Sequence, residues 1–208
     1  MKLICSPASP FARKVRTALV QAGLEDQVDV LAHHPLDAGE TVIRAHNPLG
    51  QVPVLVTEDE GVLYDSAVII DYIAARSPET GLLPAYGDSH YRTVMRRQAL
   101  ADGIMTAIVG IMFERRRENA QQAPGWQDRR MRGVRAGLDA IEAEMDTMSP
   151  YPCIDALSIA CLPDYADLRI SDLIDWREGH PKLEAWFASL ADHDALTRTH
   201  PETGTALT

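Results

Sequence analysis

The spacing of apolar residues changes once along this chain of 208 residues, and that change limits what it can fold into. Up to residue 76, strand-length apolar runs alternate with amphipathic stretches, whereas beyond residue 88 only helical spacing remains. Lys2-Leu3-Ile4-Cys5 reads as a buried strand. Pro10 suits the first turn of a helix, where its missing N–H costs nothing. Phe11, Val15, Ala18, Leu19 and Ala22 share a face of that helix, and Gly23 ends it. Val28 to Leu31 is a second strand, followed by a weaker helix from Glu40 to Ala45. Pro53 to Val56 and Val62 to Tyr64 are short strands around the turn Glu58-Asp59-Glu60-Gly61. Ser66 to Ala75 is a helix with Ile69, Ile70 and Ile73 inward. The order β-α-β-α-β-β-α predicts an α/β unit with a mixed sheet over residues 1–76.

Residues 77–87 are rich in Pro and Gly and read as a linker. An all-helical unit is expected over 88–208. It opens with a long helix from about Asp88 to Arg117, whose middle, Gly103 to Phe113, is apolar nearly all round and is expected to be buried. Met131, Val134, Leu138, Ile141, Met145 and Met148 mark the next helix. Ile154, Leu157, Cys161, Tyr165 and Leu168 mark another, with a kink expected at Pro163. Asp172 to Glu178 and Pro181 to Leu190 are expected to form two short helices.

The net charge of -10 argues against general affinity for nucleic acid or an anionic membrane. No apolar run reaches the ~18 residues of a membrane span, and the first residues do not read as a signal peptide. Three cysteines without Cys-x-x-Cys spacing suggest neither a disulfide framework nor a thiolate metal site, and fit a reducing cytoplasm. The seven histidines show no metal-ligand spacing, so no metal is expected. Cys5, inside an apolar strand, reads as an inert small hydrophobe.

Two segments carry recognisable chemistry. In Asn47-Pro48-Leu49-Gly50-Gln51-Val52-Pro53-Val54-Leu55, a turn runs into a strand holding a proline, which cannot donate to a ladder. With a cis bond before Pro53, the Val52 N–H and C=O can face outward and pair with a peptide. In Tyr64-Asp65-Ser66, a hydroxyl meets the free N–H groups of a helix start, a ready anion site. Together these look built for a small anionic peptide.

These segments, with Ser6-Pro7-Ala8-Ser9-Pro10-Phe11-Ala12-Arg13-Lys14-Val15-Arg16 and His180-Pro181-Lys182-Leu183-Glu184-Ala185-Trp186, come in an order that resembles the cytosolic glutathione S-transferase superfamily. The first segment and Ala99-Leu100-Ala101-Asp102-Gly103-Ile104-Met105 look like a bacterial YibF-type subgroup. The resemblance implies a thioredoxin-like α/β N-terminal domain over 1–76 and an all-α helical-bundle domain over 88–208. It also implies glutathione as co-substrate, a small electrophile as second substrate, and a homodimer.

By the same resemblance, Ser9 takes the position of the hydroxyl that stabilises the glutathione thiolate. On the residues alone a helix N-cap is the favoured reading, and the accompanying motifs shift it to the site. A cysteine there would bring thiol redox chemistry, and its absence excludes a CxxC mechanism. Phe11, Gln51, Val52, Pro53, Asp65 and Ser66 form the implied glutathione-binding set. Val52 pairs with the cysteinyl backbone, Asp65-Ser66 holds the γ-glutamyl end, and Gln51 lies near the glycyl carboxylate. Asp65 and Ser66 also suit an N-cap, and Gln51 also suits a solvated loop. His33 and His34 read as surface residues within possible reach of that carboxylate. Arg13, Lys14 and Arg16 lie early in a helix, where the dipole disfavours cations, and read by default as solvated. Asp102 is expected on the helix bordering the cleft, with Arg96 or Arg97 as partner. Glu114-Arg115-Arg116-Arg117-Glu118 reads as a solvated helix end. Cys153-Ile154-Asp155-Ala156 opens a helix without a cap hydroxyl, an omission that costs ~0.5–2 kcal/mol.

The activity expected is conjugation of the glutathione thiolate to small hydrophobic electrophiles. A glutathione-dependent isomerase or dehalogenase on the same site is one alternative. A non-catalytic interaction protein on this fold is the other.

Overall fold

The computed structural model describes residues 1–33, 39–205 and 207. Among these residues, four strands, β1 (Lys2–Cys5), β2 (Asp29–Ala32), β3 (Val54–Val56) and β4 (Val62–Leu63), form one mixed sheet in the order β2-β1-β3-β4. β1 runs parallel to β2 and antiparallel to β3, and β3 is antiparallel to β4. Side chains alternate across a strand, so Leu3 and Cys5 join the large core while Ile4 meets Ile43 and Val54 on the opposite face. Three helices cover the sheet: α1 (Pro10–Gln21), α2 (Gly39–Arg44) and α3 (Ser66–Arg76). This is the thioredoxin-like arrangement expected. β3 starts at Val54 rather than Pro53, because proline has no N–H for the ladder.

The rest is helical: α4 (Tyr91–Arg115), α5 (Pro124–Glu144), α6 (Ile154–Ala160), α7 (Leu162–Ile170), α8 (Pro181–Ala188) and α9 (Asp194–Arg198). α4 packs on α5, α6 and α7, and a single apolar core continues from β1 through α1 and α3 into these helices. Among the described residues, no helix is long and apolar enough to cross a membrane.

Several expectations are corrected. The kink at Pro163 is a break: α6 ends before Cys161, and the proline sits in the first turn of α7. Residues 172–178 form turns, not a helix. Asp175 accepts the Arg177 N–H (3.0 Å) while Asp172 pairs with Arg115 (2.6 Å), local bonds that compete with helix formation. α9 had no signal strong enough to predict it. The middle of α4 is not buried all round, since Gly103, Thr106 and Phe113 are exposed. The uncapped start of α6 is satisfied by other means. Ile154 N–H donates to Leu82 O (2.8 Å), and buried Asp155 accepts from Ser149 Oγ (2.7 Å) and Ala156 N–H (2.9 Å).

The largest correction concerns α1. Arg13, Lys14 and Arg16 are 2%, 0% and 0% exposed, not solvated. α1 lies between the sheet and the bundle, so every side has a neighbour. Arg13 pairs with Asp164 of α7 (2.7 Å), Lys14 with Asp102 of α4 (2.5 Å), and Arg16 donates to Pro7 O (3.5 Å).

Candidate active site

α1 begins where β1 leaves the sheet, and Ser9 caps it by accepting the Ala12 N–H at 3.2 Å. This cap aims the helix start at a cavity of about 500 Å³. Ser9 and Phe11 line one side of it.

The turn between α2 and β3 forms the next wall. Asn47 organises it: its amide donates to Gln51 O (2.9 Å) and its carbonyl accepts Leu49 N–H (3.0 Å). Gly50 has φ +65, and a Cβ there would stand 3.0 Å from the Arg44 guanidinium carbon, so both backbone and space favour glycine. Arg44 ties the turn by donating to Pro48 O (2.9 Å) and pairing with Glu40 (2.7 Å). Gln51, Val52 and Pro53 all line the cavity, and the Val52–Pro53 bond is cis. Among the described residues, nothing hydrogen-bonds the Val52 N–H or C=O.

At the start of α3, Asp65 caps the helix through Ala67 N–H (3.0 Å) and lines the cavity with Ser66. The Ser66 side chain is buried, and its N–H and hydroxyl make no hydrogen bond among the described residues. The residues expected to bind glutathione are therefore gathered in one place with Ser9. His33 is not on the cavity wall, and His34 lies outside the described residues.

α4 supplies the opposite wall through Asp102, Thr106, Val109, Met112 and Phe113, joined by Arg116 at its C-terminal cap. Asp102 is held by Lys14 and Gln98, not by Arg96 or Arg97, which both pair with Glu144. Burial pushes its carboxyl above the usual range, against the pull of Lys14, and the charge of Asp65 adds to the rise. Tyr165 and Arg169 of α7 complete this side. Burial raises the Tyr165 phenol, opposed by Arg169 and Arg116. Arg116 is exposed, as expected for its solvated run, and it also borders the cavity. Tyr165 was read in the sequence only as part of an apolar helical face, which carries no mark of a cavity, and Arg169 was not singled out. Arg44 was missed because its role depends on the turn it ties.

Cys5 is wholly buried, and burial pushes its thiol up to about 11 against the charge of Arg16. That is the inert cysteine expected. Among the described residues, no group of His, Cys, Asp or Glu is placed to hold a metal ion.

A sheet flanked by these helices, a helical bundle and a cavity between them define a thioredoxin-fold protein with a peptide-sized cleft. The sequence model of the glutathione S-transferase N-terminal domain matches residues 8–76. The "Uncharacterized GST-like protein YibF" of Escherichia coli (strain K12) is 31% identical over 97% of this chain and 98% of its own. A glutathione transferase family member from Pseudomonas fluorescens Pf-5, solved with bound glutathione, superposes with a TM-score of 0.89 at 34% identity, over 96% of this chain and 98% of its own. A structure of a Pseudomonas fluorescens Pf-5 family member with bound S-(propanoic acid)-glutathione gives a TM-score of 0.85 at 34% identity, over 97% and 99% of the two chains. The chain belongs to the glutathione S-transferase family.

Proposed function

We propose that the protein is a glutathione transferase that joins the glutathione thiolate to small hydrophobic electrophiles. The observation that carries this reading is one cavity lined by the Ser9 hydroxyl, the Val52 backbone, unpaired among the described residues, and the Ser66 helix start, with the apolar side chains of Val109, Met112 and Phe113 on the opposite wall. Glutathione bound in a relative at 34% identity supports it. A thioether of glutathione bound in a structure at the same identity supports a substituent on sulfur.

In this reading residues 1–76 hold glutathione and 88–208 supply most of the acceptor side. The cysteinyl backbone pairs with Val52 beside Pro53. Ser66 and the first N–H groups of α3 hold the γ-glutamyl carboxylate, while Asp65 and Asp102 face its ammonium. Gln51 lies near the glycyl carboxylate, and Phe11 packs against the bound peptide. An ordinary thiol near pKa ~8.5 is mostly protonated at neutral pH. The Ser9 O–H and the start of α1 favour the thiolate, since both place positive potential at sulfur. The thiol proton leaves to water, and sulfur attacks the electrophilic carbon. The S–C bond forms as the leaving group departs with its electron pair, or as an activated double bond takes up a proton. Holding both partners in one cavity supplies proximity. A cytoplasmic homodimer acting in detoxification is the setting we assign to this chemistry.

Calorimetric titration with glutathione tests the reading, with thiolate absorbance of the complex followed against pH. Binding with a thiol pKa about one unit or more below that of free thiol (~8.5) is expected. No binding at millimolar glutathione would move the assignment to a non-catalytic interaction protein.

A further inference from the structure

Asp102, Thr106, Val109 and Phe113 line the cavity from α4, and Arg116, the C-terminal cap of that helix, lines it with them. Their steps of four, three, four and three residues place them in one stripe along the helix. Fourteen residues at 1.5 Å each put about 21 Å between the first and last of them. The stripe is polarised. One end is the Asp102 carboxylate, the centre is apolar, and the other end is the Arg116 guanidinium.

Arg116 is not alone there. Arg169 lines the same cavity from α7, with its guanidinium 5.9 Å from the centre of the Tyr165 ring, and Arg116 lies 5.8 Å from the Phe113 ring. Among the described residues neither arginine has a carboxylate partner, and the buried Nε of Arg169 has no acceptor at all. The neighbouring cations differ: Arg115 is taken up by Asp172 (2.6 Å), and Arg117 lies 3.8 Å from Glu114. In a chain of net charge -10, two arginines without acids on the wall of one cavity form a local reversal of sign. Guanidinium groups suit carboxylates through paired N–H donors, and the Phe113 and Tyr165 rings beside them suit a flat apolar body.

We propose that this end of the cavity is an anion subsite, and that the acceptor is an electrophile bearing a carboxylate on an apolar, aromatic-sized body. The carboxylate docks on Arg116 and Arg169, the body lies on Phe113, Val109 and Tyr165, and the reactive carbon faces the glutathione sulfur. This names the acceptor class for the transferase reading and rests on that reading.

The test uses a chlorodinitrobenzoate and its neutral benzamide as matched acceptors. In both, the sulfur–carbon bond forms at the carbon bearing chlorine, chloride leaves with the bonding electrons, and the thiol proton goes to water. Each enzymatic kcat/KM is divided by its uncatalysed rate. The carboxylate is expected to be preferred over the amide by about 10-fold or more, the range of charge-assisted hydrogen bonds. In Arg116→Gln, Arg169→Gln and the double variant that preference should fall towards unity. Arg→Lys should restore part of it, and melting temperatures report folding. Equal corrected rates for both acceptors in the unaltered protein would overturn the anion subsite and leave the transferase reading standing.

Calorimetry with the two purified glutathione conjugates covers the case of slow turnover. The carboxylate conjugate should bind about 10-fold more tightly than the amide conjugate, and the double variant should lose the difference. Glutathione binding without this discrimination overturns the anion subsite alone. Failure of glutathione and both conjugates to bind overturns the transferase reading and this inference with it.

Discussion

The Ser9 oxygen accepts the Ala12 N–H at 3.2 Å, an arrangement that leaves its proton available to a sulfur in the cavity. Cap and donor are therefore compatible on one hydroxyl, and a substitution separates them. Ser9→Ala should cost ~0.5–2 kcal/mol in stability as a lost cap. It should also lower turnover at neutral pH by about 10- to 100-fold, the worth of a hydrogen bond to a charged group, with glutathione affinity little altered. Chemical denaturation and steady-state kinetics on one sample read both effects. A stability loss with unchanged turnover would make Ser9 a cap only. The alternatives for this residue were visible in the sequence because Ser before Pro at a helix start is a local signal. The burial of Arg13, Lys14 and Arg16 was not visible. Their helix shows one apolar face, and only a second layer of structure converts its remaining faces to interior.

Among the elements, α4 and α5 are joined at their ends by Glu144, which pairs with Arg96 (2.7 Å) and Arg97 (2.7 Å). Hydrogen bonds from Arg96 and then Arg97 hold its carboxyl down from 4.5 to about 2. The folded state thus binds this proton less readily than the unfolded chain does. The stabilisation is complete above pH 4.5 and is lost as pH falls through about 2. Glu144→Gln should lower stability at neutral pH by ~1–3 kcal/mol, with part of the shift discounted for solvent screening. The gap between variant and unaltered protein should close on acidification. A gap that stays constant between neutral and strongly acid pH in denaturant titrations would show that the pair contributes nothing through charge. The long elements were the most legible in sequence. α1, α3, α4 and α5 repeat apolar residues over several turns, so their periodicity outweighs local noise. The failures lie where the signal is short. Asp172 to Glu178 has helix-like spacing but aspartates that bond locally, and α9 is only five residues long. Pro163 was read as a kink because a proline in the first turn of a new helix looks the same in sequence as one inside an old helix.

For the whole molecule, the continuous core from β1 to α8 and the ion pairs of α1 imply one cooperative transition. All three tryptophans lie beyond residue 88, so their fluorescence reports the helical part, while Cys5 in β1 reports the sheet. Fluorescence and mass-resolved labelling of Cys5 should give the same denaturant midpoint. Labelling at a lower midpoint would show the sheet opening while the bundle stays folded. The cavity was only half legible at this scale. The wall proposed to face glutathione comes from contiguous motifs, whereas the proposed acceptor wall unites Phe113 and Arg116 with Tyr165 and Arg169 from separate helices. Only the fold brings those residues together.

The ion pairs of α1 also bear on any chimera. Arg13 and Lys14 sit in the N-terminal half, but their carboxylates, Asp164 and Asp102, sit in the C-terminal half. A buried charge that loses its partner costs ~3–5 kcal/mol. Grafting the first 76 residues onto a helical part that lacks these two acids would therefore leave two buried cations without partners. The halves of this chain are interchangeable with those of a relative only where both acids are present to receive them.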